Sequence, residues 1–129
     1  MRWTAIVVLS LAAGLVWRIR RTNLRVTVVG SSMEPGLPHG TQVFTKRVPP
    51  QQLASGDIVV LPEPGSGQLI IKRIAAVGGE PAPEPMDGDP RVPRDMVVLL
   101  GDNPSHSHDS RHFGYVPARH IRGRVVRVA

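Results

Sequence analysis

The sequence predicts a mainly β protein, built of antiparallel curled sheets or a partial barrel, with one short N-terminal transmembrane helix. Three observations lead there. Short runs rich in valine and isoleucine recur between turn signals from Leu24 to Val128. Glycine and proline number 13 each, and aromatic residues make up only 4%, so turns are many and the core must come from Val, Ile and Leu, which favour strands. Finally, Trp3–Trp17 (WTAIVVLSLAAGLVW) is uncharged and apolar at 12 of its 15 positions.

That N-terminal run comes first in the chain. As a helix it would be roughly 22 Å long, against a hydrocarbon core of roughly 30 Å. It is expected to be a short anchor, with Trp3 and Trp17 at the interfaces and Arg2 and Arg18 reaching outward. A cleaved signal peptide, using Ala12-Ala13-Gly14, and a buried helix are the competing readings. The flanking tryptophans and the cluster Arg18, Arg20, Arg21 and Arg25 favour the anchor. Residues 1–23 are thus expected to form an anchor and basic linker, and residues 24–129 one domain.

Within that domain, strands are expected at Leu24–Val29, Thr41–Lys46, Asp57–Leu61, Leu69–Ala75, Met96–Leu100 and Arg122–Val128. Pro35-Gly36, Pro49-Pro50, Ser55-Gly56 and Pro64-Gly65 mark turns between them. Gly78 to Asp95 holds five prolines and reads as a surface loop, and Gly101 to Gly114 reads as a second. No helix of ordinary length is expected after the N-terminal run.

Charge and composition narrow the chemistry. The net charge is +6 and the pI about 11.3, but the basic cluster directly follows the apolar run, which favours a membrane surface over nucleic acid. No basic patch interleaved with aromatics is present. The absence of cysteine removes disulfides, thiolate zinc sites and a cysteine nucleophile.

Three segments carry candidate chemistry: Gly30-Ser31-Ser32-Met33-Glu34-Pro35, Ile71-Lys72-Arg73-Ile74, and Gly101-Asp102-Asn103-Pro104-Ser105-His106-Ser107-His108-Asp109-Ser110-Arg111. Strand alternation places Ile70, Lys72 and Ile74 on one face and Ile71 and Arg73 on the other. Lys72 reads either as a stem snorkelling from an edge strand or as a buried amine. A buried amine has a lowered pKa and can serve as a base near neutrality, whereas a guanidinium stays charged.

Taken together, the three segments resemble those of type I signal peptidases, the S26-type Ser-Lys membrane serine proteases. That pattern is Ser-Met-x-Pro, then Lys-Arg-Ile in a strand, then Gly-Asp-Asn-x-x-x-Ser-x-Asp-Ser-Arg. Here it is met by Ser32-Met33-Glu34-Pro35, Lys72-Arg73-Ile74 and Gly101 to Arg111. The resemblance extends from about Leu24 to Val128. It implies that Ser32 is the nucleophile and Lys72 the general base. It implies that Ser107 orients the lysine, and that Asp109 and Arg111 form a structural ion pair. Gly101, Asp102 and Asn103 match the turn that brings this loop to the nucleophile, and the Ser32 backbone N–H matches an oxyanion donor. Gly30 stands where some members carry a hydroxyl, and Gly36 where threonine is usual.

The resemblance also implies an endopeptidase that cleaves signal or leader peptides from precursor proteins, with a lipid bilayer as its other partner. No cofactor, metal or nucleic acid is expected, and the chain is expected to be a monomer. Family topology implies a single-pass protein of the cell membrane with its catalytic domain outside the cytoplasm. The charge bias of Arg18 to Arg25 points the other way. A dedicated maturation protease for one precursor, such as a metalloenzyme or a secreted peptide, is a narrower version. A non-catalytic, membrane-tethered peptide-binding module is the contrasting one, and retention of both Ser32 and Lys72 argues against it. An autoproteolytic repressor-type Ser-Lys domain would need a DNA-binding module, and no helix-turn-helix fits the first 23 residues. Ser31 reads as a turn residue. His106, His108 and His112 read as solvated loop residues, not a metal set with Asp109. Asp102 and Asp109 read as capping and ion-pair groups, not an acid–base pair.

Overall fold

The computed structural model describes residues 23–84, 86 and 88–129. The expected anchor, Trp3–Trp17, lies outside them. Among the described residues no helix is long and apolar enough to cross a membrane.

The described chain forms one sheet of seven strands, all antiparallel: β1 (Asn23–Thr27), β2 (Gln42–Lys46), β3 (Ile58–Pro62), β4 (Leu69–Val77), β5 (Met96–Leu100), β6 (Val116–Pro117) and β7 (Gly123–Val128). Their order across the sheet is β1-β2-β7-β3-β4-β5-β6. The last strand is therefore inserted between β2 and β3, joining the N-terminal hairpin to the central strands. The sheet does not close into a barrel. β1 and β6 are its two edges, and β6 is only two residues long and ends in Pro117, which has no N–H to donate to a further strand.

Both faces of the centre are covered. Valine-rich β3 and β5 bury three consecutive residues each, Val59-Val60-Leu61 and Val97-Val98-Leu99, as strands covered on two sides do. One core gathers Val59, Leu61, Ile74, Val97, Leu99 and Val116. A second, built on the neighbouring positions Val60 and Ile71, packs Val28, Met33, Leu37 and Val43 against the sheet. A third lies under the proline-rich loop, around Ala76, Val92 and Val98. That loop is tied to itself by the bridge Pro81–Arg91.

The second predicted loop contains a 3-10 turn, Pro104–His106, and a single helical turn, α1 (Ser110–Phe113). Asp109 caps α1: its carboxylate accepts from the Arg111 N–H. The Leu99 N–H donates to the Ser110 hydroxyl (2.9 Å), tying this turn to β5.

Candidate active site

Residues 28–37 leave β1 and fold over the second core. Gly30 has φ +86°, a conformation glycine adopts at no steric cost, and its N–H donates to His39 Nδ1 (2.8 Å). Met33 is fully buried among Val28, Leu37, Val43, Val60 and Ile71. The Leu37 N–H closes the turn by donating to the Met33 carbonyl (2.9 Å). The methionine thus pins the half-buried Ser32 beside it. Among the described residues the Ser32 N–H has no hydrogen-bond acceptor, so this backbone donor stays open.

Lys72 lies in β4, a central strand flanked by β3 and β5, and is only 4% exposed. The edge-strand snorkelling considered for it does not occur. Burial pushes its amine below the usual lysine pKa of 10.5 and outweighs the attraction of Asp109 and Glu63, while Arg111 adds to the lowering. Arg73, pointing to the other face, forms a two-pronged ion pair with Asp102 (both contacts 2.9 Å) and donates to the Gly56 carbonyl (3.0 Å). The second and third sequence segments are clamped together by this pair, which the sequence alone gave no reason to expect.

The third segment meets the first through backbone contacts. The Asn103 N–H donates to the Ser32 carbonyl (2.8 Å), and the Asn103 side-chain amide donates to the Ser31 carbonyl (3.0 Å). Gly101 has no room for a side chain: a Cβ there would stand 2.1 Å from Ser107 Oγ and 2.8 Å from the Ser32 carbonyl oxygen. Arg73 pairs with Leu100 across β4 and β5, so continuing that register by one residue sets Gly101 opposite Lys72. A glycine at this place lets Ser107 and the Ser32 backbone close in on the lysine's side of the sheet.

Asp109 is the hub of the third segment and is fully buried. It accepts from the Ser107 hydroxyl (2.7 Å), the Gly101 N–H (2.9 Å), the Arg111 N–H (3.1 Å) and the Arg111 guanidinium (2.6 and 2.9 Å). Burial alone would raise its pKa. The hydrogen bonds from Arg111, Gly101 and Ser107 outweigh it and hold the carboxyl well below the usual carboxylate range. The Ser107 proton is committed to Asp109, so the Ser107 oxygen can only accept from a neighbouring amine.

The structure thus brings Ser32, Gly101, Asn103 and Ser107 together, with Lys72, Asp109 and Arg111 electrostatically coupled beside them. Asp102 is turned away toward Arg73. Sequence reasoning missed Glu63, which follows β3 and acts on Lys72 through space. It lies 3.5 Å from His108, which stacks on His112 (ring centroids 4.7 Å apart). Glu63 has no motif around it that marks it in the sequence.

Comparison with known proteins identifies the family of the chain. The family model described as "Signal peptidase, peptidase S26" matches residues 1–82 and 81–129. The chain is 36% identical over 108 residues, 75% of its length, to the mitochondrial ATP-independent inner membrane protease subunit 1b of Arabidopsis thaliana. It is 33% identical over 104 residues, 74% of its length, to the mitochondrial inner membrane protease subunit 1 of Mus musculus. A shorter stretch of 39 residues, 30% of this chain and 19% of the relative, is 49% identical to signal peptidase I of Leptolyngbya laminosa. The chain spans just under two thirds of the length of the first two, 64% and 63% respectively. With the family model matching along its whole length, the chain belongs to the peptidase S26 family of signal peptidases.

Proposed function

We propose that this chain is a membrane-bound serine endopeptidase that cleaves signal or leader peptides from precursor proteins, with Ser32 as nucleophile and Lys72 as general base. One observation carries the reading: an amine buried in the central strand, its pKa lowered by desolvation, beside a loop that hydrogen-bonds the backbone of Ser32. Neutral Lys72 takes the Ser32 proton as the hydroxyl oxygen attacks the scissile carbonyl. The open Ser32 N–H stabilises the oxyanion, an effect typically worth about 3 kcal/mol per donor. The ammonium then protonates the leaving amine, and Lys72 activates the water that releases the acyl group.

Supporting groups divide the remaining work. Ser107, its proton held by Asp109, is assigned to accept from the lysine amine and aim it. Arg111 keeps Asp109 ionised, and the Asp102–Arg73 pair fixes the approach of residues 101–103. The substrate lies extended along β1, a sheet edge whose second side is free among the described residues. As in the family, small residues are preferred at the first and third positions before the cut.

The relatives' names, inner membrane protease subunit and signal peptidase I, support a membrane location and a leader-peptide substrate. The anchor is assigned to Trp3–Trp17 and the domain to the extracytoplasmic side of the cell membrane, against the bias of Arg18 to Arg25. A reporter fused after Ala129 checks the side, and an enzyme active only in the cytoplasm contradicts it. The catalytic assignment is tested by incubating a leader-peptide panel with wild type, Ser32→Ala and Lys72→Ala. Loss of cleavage in both variants is expected, and full activity in either refutes the pair.

A further inference from the structure

We propose that the outer face of the β1–β2–β7 corner is a docking surface for anionic lipid headgroups, which holds the domain against the bilayer. The face is built across three strands. Arg25 of β1 and Arg127 of β7 both pair in register with Phe44 of β2, so all three share one side of the sheet. Their guanidinium carbons lie 5.6 and 4.5 Å from the Phe44 ring centroid. Lys46, two residues along β2, extends the same side.

The local charge has one sign. Residues 23–29, 41–48 and 121–129 contain no acidic side chain. Arg124 is drawn off toward Asp57 (3.7 Å), while Arg25, Lys46 and Arg127 form no ion pair among the described residues. A β-bulge between Phe44 and Thr45 gives β7 an extra residue here, Val126, which is 52% exposed. Cations around an aromatic ring and an exposed valine match a headgroup layer, which is anionic above and apolar below.

Two further facts favour a bilayer over an acidic peptide as the occupant. β1 begins at Asn23, directly after the basic residues Arg18, Arg20 and Arg21 and the apolar run Trp3–Trp17. The patch therefore continues a basic stretch that leads out of the apolar segment. It is also spread over the face of three strands, whereas a peptide recognised by β1 would pair with its edge. The inference rests on the anchor reading only for this continuity and is independent of Ser32 and Lys72.

The chain has no cysteine, so a single reporter can be placed in the full-length protein. Val126→Cys carries an environment-sensitive fluorophore, and Glu84→Cys on the distant proline-rich loop serves as the control. Each is mixed with phosphatidylcholine vesicles bearing a lipid-attached quencher, with and without phosphatidylglycerol. Quenching at position 126 should be severalfold stronger on the anionic vesicles and should collapse in about 1 M salt, where the screening length is about 3 Å. Position 84 should respond to neither. Adding Lys46→Gln and Arg127→Gln to the position-126 reporter should remove the lipid dependence while circular dichroism stays unchanged. Equal quenching on both vesicle types, or lipid dependence undiminished by the two substitutions, overturns the proposal. Protection of position 126 by a soluble poly-glutamate peptide without lipid assigns the face to acidic peptides and overturns it as well.

Discussion

The Ser107 hydroxyl donates to the Asp109 carboxylate at 2.7 Å, and both groups are buried. With its one proton directed at an anion, the Ser107 oxygen offers only lone pairs to the lysine amine. Ser107→Ala removes that acceptor while Asp109 keeps its contacts with Gly101 and Arg111. Leader-peptide cleavage should fall by about 10²-fold through misorientation of the base. Urea unfolding should show a smaller loss, about 1–3 kcal/mol. An unchanged kcat/KM would remove Ser107 from the proposed machinery.

Gly101 separates a packing role from a chemical one. Its missing side chain leaves space already occupied by Ser107 and the Ser32 carbonyl. Gly101→Ala should overpack this junction and destabilise the protein by about 1–3 kcal/mol or more. The shift reaches Ser32 and Ser107 together, so activity should be lost even under conditions where the variant is fully folded by circular dichroism.

Asp109 sets the acid stability of the site. Its folded pKa is depressed below the ordinary 3.8, so its contribution is fully present above that value and is lost as pH falls through it toward the folded pKa. Asp109→Asn replaces a buried acceptor of hydrogen bonds from Ser107, Gly101 and Arg111 and should cost about 1–3 kcal/mol near neutral pH. The difference in Tm between wild type and variant should shrink below about pH 4.

Lys72 makes the opposite demand. Because its folded pKa is lowered, the folded protein binds fewer protons than the unfolded chain between that pKa and 10.5, and stability rises with pH across this window. Lys72→Met, which removes the buried amine, should therefore stabilise the protein most below the folded pKa. The gain should fade as pH approaches 10.5. A Tm difference independent of pH would mean that the amine is not desolvated.

Met33 tests the support beneath Ser32. Its fully buried side chain fills the second core, so Met33→Ala should cost about 2–5 kcal/mol in urea unfolding. Activity should fall further than the loss of folded protein explains, because the turn that holds Ser32 is loosened.

Local features of this fold were legible and distant ones were not. Six strands lie within two residues of their expected ends, because β-branched runs bounded by glycine and proline report their own conformation. Val116-Pro117 went unread as a strand because two residues carry no alternation. The insertion of β7 between β2 and β3 depends on pairings far apart in sequence, and the open sheet edge follows from it. The candidate residues were named from motif order, but their surroundings needed the fold. Lys72 is buried because β4 is central, and Asn103 reaches the Ser31 and Ser32 carbonyls across about 70 residues of chain. Arg73–Asp102 joins two segments whose sequences give no hint of partnership.

The most direct test of a buried, neutral Lys72 acting on Ser32 is the pH dependence of kcat/KM for leader-peptide cleavage in wild type and Lys72→Ala. A neutral base is lost when it is protonated, so wild-type activity should fall at acid pH through an apparent pKa below 10.5, and the variant should be inactive throughout. Cleavage by Lys72→Ala at the wild-type rate, with the same acid limb, would contradict the account.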